Sequence, residues 1–279
     1  MTKYIPDIAA DVNPDLQADL TLAHELCDGA DAITIARFRA GDLRVETKPD
    51  LTPVSEADRA VEELIRSRLA IERPDDAILG EELGVSGTGD RRWIIDPIDG
   101  TKSYVRGIPV WATLLALEVD GEPVLGVVSA PALGRRWWAA RGEGAFADGE
   151  PIHASGVRAV EDSLLCLANI RHWEEVGLAD AVLSLERRAW RSVGYGDFWG
   201  HVLVAEGSAE MMLEPDLAYW DVAALRPIVE EAGGRCSART GGPPIGPGGC
   251  ITTNAHLHDE VLALLAPDGA NPTPSRDTP

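Results

Sequence analysis

Apolar residues recur at helical spacing between Asp15 and Arg39, at Leu16, Leu20, Leu22, Ala23, Leu26, Ile33, Ile35 and Ala36. That spacing predicts a helix. A second helix is predicted after Ser55, with Val61, Leu64, Ile65 and Leu69 on one face. Ser55, with Asp58 in the first turn, reads as its cap. Between the two lies VETKPDLTPVSEAD, rich in Pro, Thr and acid, which reads as a loop.

From Ala77 the pattern changes. AILGEE and RWIID are short apolar runs that end in carboxylates, and WATLLALEVDGEPVLGVVSAP reads as two strands about an Asp120-Gly121 turn. RRWWAARGEGAFADGEPIHAS continues as hairpin structure. The second half alternates. DSLLCLANI, WRSVGYG, AEMMLE and CITTN read as strands; DAVLSLERRA, DFWGHVLVAEG, WDVAALRPIVEEAGG and HLHDEVLALLA read as helices. Such alternation predicts layered α/β structure. We expect one unit over 1–266, with a metal-site α+β half at about 1–155 and an α/β substrate-contacting half at 156–266. The segment 267–279, nearly devoid of large apolar residues, is expected to be a disordered tail.

Composition narrows the function. No apolar run approaches the roughly 18–20 residues needed to cross a bilayer, and the first twenty residues contain no signal-peptide core, so we expect a cytoplasmic protein with no membrane partner. With 25 basic and 46 acidic residues the formal net charge is −21. That excludes general nucleic-acid binding, which rests on phosphate neutralisation by Lys and Arg. An anionic substrate would need a local positive charge, which a divalent cation would supply. Cys27, Cys166, Cys236 and Cys250 are far apart and form no CxxC, so buried free thiols are expected. The six histidines form no HExxH, and His256 and His258 are expected at the surface.

The chemistry concentrates in RWIIDPIDGTKSYVRGIPVWAT, where an apolar run leads into Asp96 and Asp99. Carboxylates that close repel, and one takes up a proton unless a basic partner, a metal or solvent neutralises both. Two other acidic sites stand where elements meet: Gly80-Glu81-Glu82 and Trp220-Asp221. An oxygen-only set of this kind suits Mg²⁺, held by a few carboxylates plus phosphate and water. Pro97 disfavours helical geometry for Asp96 and holds the loop open, so that the Ile98 carbonyl can join the aspartates. If a helix turn begins at Gly100 and Thr101, their N–H groups would hold a phosphate oxygen. Singly, each feature has a plain alternative: Asp99-Gly100 a turn, Asp221 a helix N-cap, Glu81-Glu82 a solvated face. The block DPIDGT, paired with GEE upstream and WD downstream, is far more specific.

In these blocks, and in KPDLTPVSEAD upstream, the chain resembles the inositol monophosphatase superfamily of Mg²⁺-dependent, lithium-sensitive phosphatases. The resemblance implies an αβαβα sandwich, a homodimer, and hydrolysis of a small-molecule phosphate monoester with two or three Mg²⁺ per site. It implies that Glu81, Asp96 and the carbonyl of Ile98 hold a first ion, that Asp96, Asp99 and Asp221 hold a second, and that a looser third also uses Glu81. Thr101 with Glu81 would orient the attacking water, Asp58 would support the site through water, and Lys48 would sit in a mobile lid. The physics agrees, since two ions about 4 Å apart can activate water on one side and stabilise the leaving alkoxide on the other.

DGTKSYVRGIPVWATLLAL is more similar to the histidinol-phosphate phosphatase branch than to the inositol branch. Asp197, which is also a candidate helix N-cap, and Glu214, seven residues before Asp221, are expected to face the amine and imidazole of such a substrate. Trp199 and His201 are candidates to stack on that imidazole, with packing the alternative for Trp199. Arg191 is a candidate to hold a carboxylate at a subunit boundary. A broader phosphatase of the same fold, acting on inositol phosphate, a fructose bisphosphate or a nucleotide phosphate, is the first alternative. An interaction protein of the transcription machinery is the second.

Overall fold

The computed structural model describes residues 14–49, 52–167, 169–244 and 248–266. The tail expected at 267–279 lies outside the described residues. Helix α1 (Pro14–Arg37) leads to a small hairpin, β1 (Val45–Thr47) and β2 (Pro53–Ser55), and then to α2 (Glu56–Glu72). The hairpin falls inside the stretch read as loop; three-residue strands rich in acid and Pro carry almost no pattern. The Ser55 cap is present: its hydroxyl accepts the Ala57 N–H, and Asp58 reaches back to the Ser55 N–H.

Next come β3 (Ala77–Gly80), β4 (Gly84–Ser86), β5 (Arg91–Asp99), α3 (Thr101–Val105), β6 (Ala112–Val119), β7 (Glu122–Ala130), β8 (Arg135–Ala140), β9 (Ala145–Ala147) and β10 (Glu150–Ile152). They form an eight-stranded sheet in the order β10-β9-β8-β7-β6-β5-β3-β4. Asp120 and Gly121, at φ 54° and 82°, make the tight turn expected between β6 and β7.

The remaining elements are β11 (Leu164–Leu167), α4 (Ile170–Glu175), α5 (Ala179–Arg188), β12 (Arg191–Val193), α6 (Asp197–Ala205), β13 (Met211–Glu214), α7 (Tyr219–Val222), α8 (Leu225–Glu231), β14 (Arg235–Ser237), β15 (Cys250–Thr253) and α9 (His258–Leu265). Their strands make a five-stranded sheet in the order β12-β11-β13-β15-β14. The single helix expected over WDVAALRPIVEEAGG is two helices. Pro227 has no N–H to donate back along such a helix, and its ring crowds the carbonyl four residues earlier, so the chain breaks between Val222 and Leu225.

The layers follow from alternation along the strands. Trp93 and Ile95 of β5 face α1 and α2, meeting Leu26, Val61 and Ile65. Ile94 faces the other way, toward Phe198, Val202 and Ile228 on α6 and α8. The second sheet covers α6 with Cys166 and Met212. Its far face packs Leu165, Leu213 and Ile251 against α5 and α9. The result is the expected αβαβα sandwich. All four cysteines are free and buried. His258 corrects the sequence reading: it is buried, its ring nitrogens bonded to Ser237 Oγ (2.8 Å) and Thr253 Oγ1 (3.0 Å). The first turn of α9 packs onto the sheet, so a polar residue there needs partners.

Candidate active site

In the first sheet β3 and β5 run parallel, whereas β5 and β6 are antiparallel. Parallel neighbours deliver their C-terminal ends to the same edge. Glu81 therefore emerges beside Asp96 and Asp99, its N–H donating to the Ile95 carbonyl at 3.1 Å. The stretch expected to be an open loop at Pro97 is instead the end of β5, with its register against β6 shifted between Asp96 and Asp99. The shift does what the loop was expected to do, because an irregular strand end re-aims successive side chains. Thr113 Oγ1 pins it by donating to the Pro97 carbonyl at 2.8 Å.

Asp221 arrives from α7. It is not the N-cap of α7, a position held by Ala218; Asp221 stands three residues inside the helix, and its carboxylate reaches back to accept the Ala218 N–H at 2.8 Å. One carboxylate oxygen from each of Asp96, Asp99 and Asp221 lies within 4.8 Å of the others. Desolvation raises all three pKa values. Asp96 is held well above the carboxylate range by burial and by Glu81, Asp99 and Asp221. Asp99 is held up likewise by burial, Asp197 and Asp221, and burial pushes Asp221 to about 7.

Solvent reaches Asp96 and Asp99 only from the pocket side, since both are otherwise buried. Of the nearby cations, Lys48 is spent on Glu81 (2.7 Å) and Glu82 (2.5 Å), and Lys102, on the pocket wall, forms no ion pair with the three aspartates among the described residues. A metal fits: Asp96 Oδ1 is buried without a hydrogen-bond partner, and the donor set is all oxygen. Glu81 lines the same pocket. So does Ile98, a fully buried residue.

The pocket has a volume of about 560 Å³. Gly100 caps α3 on its wall, and Thr101 Oγ1 donates to the Ile98 carbonyl at 2.9 Å. Asp58 stands behind Thr101, its Oδ1 3.5 Å from that hydroxyl, with burial raising its pKa to about 6. Asp197 also lines the pocket. It is not the N-cap of α6: Gly196 holds that position and no side chain caps the helix. Burial and Glu214 push Asp197 to about 6. Glu214 itself is buried and does not line the pocket; its oxygens take the Asp197 N–H (3.2 Å) and a nitrogen of His201 (3.1 Å). His201 is fully buried and therefore stacks on nothing in the pocket, while Trp199 packs against Trp137 and Phe198. Arg191 is exposed on the edge strand β12, away from the cavity.

Two charged lining residues were missed as site residues. Lys102 is the one cation among the lining residues, and Asp216 is an exposed acid on the rim. Their signal was adjacency: Lys102 follows Thr101 directly, and Asp216 stands between Glu214 and Asp221.

A sequence profile of the inositol monophosphatase family matches residues 15–268. A histidinol-phosphatase of Streptomyces coelicolor is 53% identical over 261 residues, covering 90% of this chain and 98% of that protein. One from Mycobacterium tuberculosis is 51% identical over 253 residues, covering 88% and 97%. Among solved structures, the extragenic suppressor protein suhB of Bartonella henselae superposes with a TM-score of 0.84 at 27% identity, covering 89% of this chain and 98% of that one. An inositol monophosphatase of Zymomonas mobilis does so at 0.80 and 33% identity, with the same coverage.

Proposed function

The chain belongs to the inositol monophosphatase family, and from that premise we propose that it is a Mg²⁺-dependent histidinol-phosphatase, converting L-histidinol phosphate and water to L-histidinol and phosphate. It is a phosphoric monoester hydrolase. The observation that carries the substrate is Asp197, an acid on the pocket wall that neither caps its helix nor belongs to the aspartate cluster. An ammonium or imidazolium group suits such a wall; a neutral polyol gains less from it.

Asp96, Asp99 and Asp221, with Glu81 and the Ile98 carbonyl, would hold the ions, two firmly and a third more loosely through Glu81. Bound Mg²⁺ supplies positive charge for the phosphoryl oxygens and makes water a better nucleophile. The chain's own groups do the positioning. Thr101, backed by Asp58, orients the attacking water together with Glu81. Of the first-turn N–H groups of α3, that of Ser103 is taken by the Gly100 carbonyl at 2.8 Å, and those of Thr101 and Lys102 are placed, with the Lys102 ammonium, to hold phosphate oxygens. The water oxygen bonds to phosphorus, the phosphorus–oxygen bond to histidinol breaks, and the histidinol oxygen takes up a proton. Asp197 faces the amine end, with Glu214 behind it.

Sensitivity to lithium, a homodimer with Arg191 at its boundary, and a cytoplasmic location complete the reading. No helix among the described residues is long and apolar enough to cross a membrane. The test is phosphate release from L-histidinol phosphate and from inositol 1-phosphate, each with and without Mg²⁺. The expected result is strong preference for the former, abolished by chelation. Equal turnover of both esters would overturn the substrate assignment, and turnover after chelation would overturn the metal.

A further inference from the structure

We propose that His201 is a positioning residue for substrate selection, fixing the Glu214 carboxylate and through it the backbone of Asp197 on the pocket wall. The proposal rests on the reading that Asp197 meets the cationic end of the substrate.

Asp197 is the first residue of α6 and has φ 55°, the left-handed region that non-glycine residues seldom occupy. Asp tolerates that region better than most side chains, but it persists there only where neighbours over-determine it. Two hydrogen bonds do so. The Asp197 N–H donates to Glu214 Oε1 at 3.2 Å, and the next N–H, of Phe198, donates to Asp99 Oδ2 at 2.6 Å. The residue that selects the substrate is thus clamped between a metal-site aspartate and Glu214.

Glu214 is in turn held from the core. His201, one helical turn beyond Asp197, is fully buried, and its Nε2 lies 3.1 Å from Glu214 Oε2. Its Nδ1 lies 2.7 Å from Thr252 Oγ1 on β15. An ionised carboxylate has no hydrogen to give, so Nε2 must donate. In the neutral ring Nδ1 then accepts the Thr252 hydroxyl. Both ring nitrogens are partnered, which fixes the tautomer and the ring plane. Thr252 pairs with Met212 across β13 and β15, two residues before Glu214, so the anchor and the group it steers share one rigid sheet. The relay runs from Thr252 to His201, Glu214 and the Asp197 backbone. None of the first three lines the pocket.

The experiment compares wild type with H201F, H201Q and T252V. It reads kcat/KM for L-histidinol phosphate divided by kcat/KM for p-nitrophenyl phosphate, which has no amine. In H201F this ratio should fall at least about 10-fold, mainly through KM for the amine substrate. H201Q, whose amide can still donate toward Glu214, should recover most of the loss, and T252V should lie between wild type and H201F. A folded H201F, verified by circular dichroism, with the wild-type ratio would overturn the proposal, as would equal losses on both esters. If H201F does not fold, an unchanged ratio in T252V overturns it alone. A wild-type enzyme with no preference for L-histidinol phosphate would instead bring down the substrate reading and this inference with it, a result distinct from the other two.

Discussion

The Glu62 carboxylate occupies the space that a side chain at Gly80 would need; a methyl there would run into it. Fully buried on α2, Glu62 accepts the N–H of Glu82 at 2.8 Å and of Leu83 at 3.1 Å, and it pairs with Arg66 at 2.8 Å. The turn that presents Glu81 is therefore shaped from below by an acid that never meets the substrate. G80A should cost about 1–3 kcal/mol of stability, as overpacking does. E62Q should keep the fold but weaken Mg²⁺ binding roughly 10-fold, the usual effect of losing an outer support of a ligand. Thermal melts and calorimetric Mg²⁺ titration of the two variants check this.

Metal binding should release protons. Burial and mutual repulsion hold Asp96 and Asp99 well above the carboxylate range and Asp221 at about 7, so near neutrality the metal-free cluster keeps protons. Ligands must be ionised to bind a cation. Apparent Mg²⁺ affinity should therefore fall as pH drops through about 7. Titration calorimetry in buffers of different ionisation heat should show net proton release. Heats that do not depend on the buffer would mean the carboxylates are already ionised without metal. D99N should lose activity by at least roughly 100-fold, since the remaining oxygens cannot neutralise the ion's charge as before.

D197N should raise KM for L-histidinol phosphate by about 10-fold or more, the order of a lost charge-assisted contact, and cost much less on an aryl phosphate without an amine. Asn keeps the shape and tolerates positive φ, so the comparison isolates charge. Steady-state kinetics on both esters decide it, and parallel losses would reassign Asp197 to the metal site through its neighbour Asp99.

The acidic cluster proposed to hold metal was legible because its residues sit in short contiguous blocks: GEE, DPIDGT and WD each carry their own geometry at a strand end or helix start. What lay out of reach depends on distant pairs. Lys48 to Glu81 spans 33 residues, and His201 to Thr252 spans 51; neither leaves a periodic signal. Asp197 looked like a cap because Asp is a favoured N-cap residue, but it stands one residue inside the helix, at positive φ, and Gly196 holds the cap position. The family resemblance puts Glu214, seven residues before Asp221, on the wall, but that spacing says nothing of depth, and the residue is buried behind Asp197. His258 looked exposed for a similar reason, since a polar residue at a helix start gives no hint that the sheet beneath offers Ser237 and Thr253 as partners.

That buried histidine gives the last expectation. Burial, and then the charge of Arg235, push His258 down to about 4. An unfolded histidine titrates near ~6.5. Between these values the unfolded chain binds a proton that the folded chain refuses, so the folded state loses stability as pH falls from about 6.5 to about 4. The full effect is on the order of 3 kcal/mol, set by the size of the shift. The metal-site aspartates oppose it: their folded pKa values are raised, so in metal-free protein they favour folding as pH falls. A raw stability curve would mix the two signs. Urea unfolding of wild type and H258Q at about pH 7.5 and about pH 5 separates them, because the aspartates are common to both proteins. Wild type should be the more stable at the higher pH, and its advantage should shrink at the lower one, where His258 alone resists the proton. An advantage that is the same at both would mean the ring takes up a proton as readily in the folded sheet as in water.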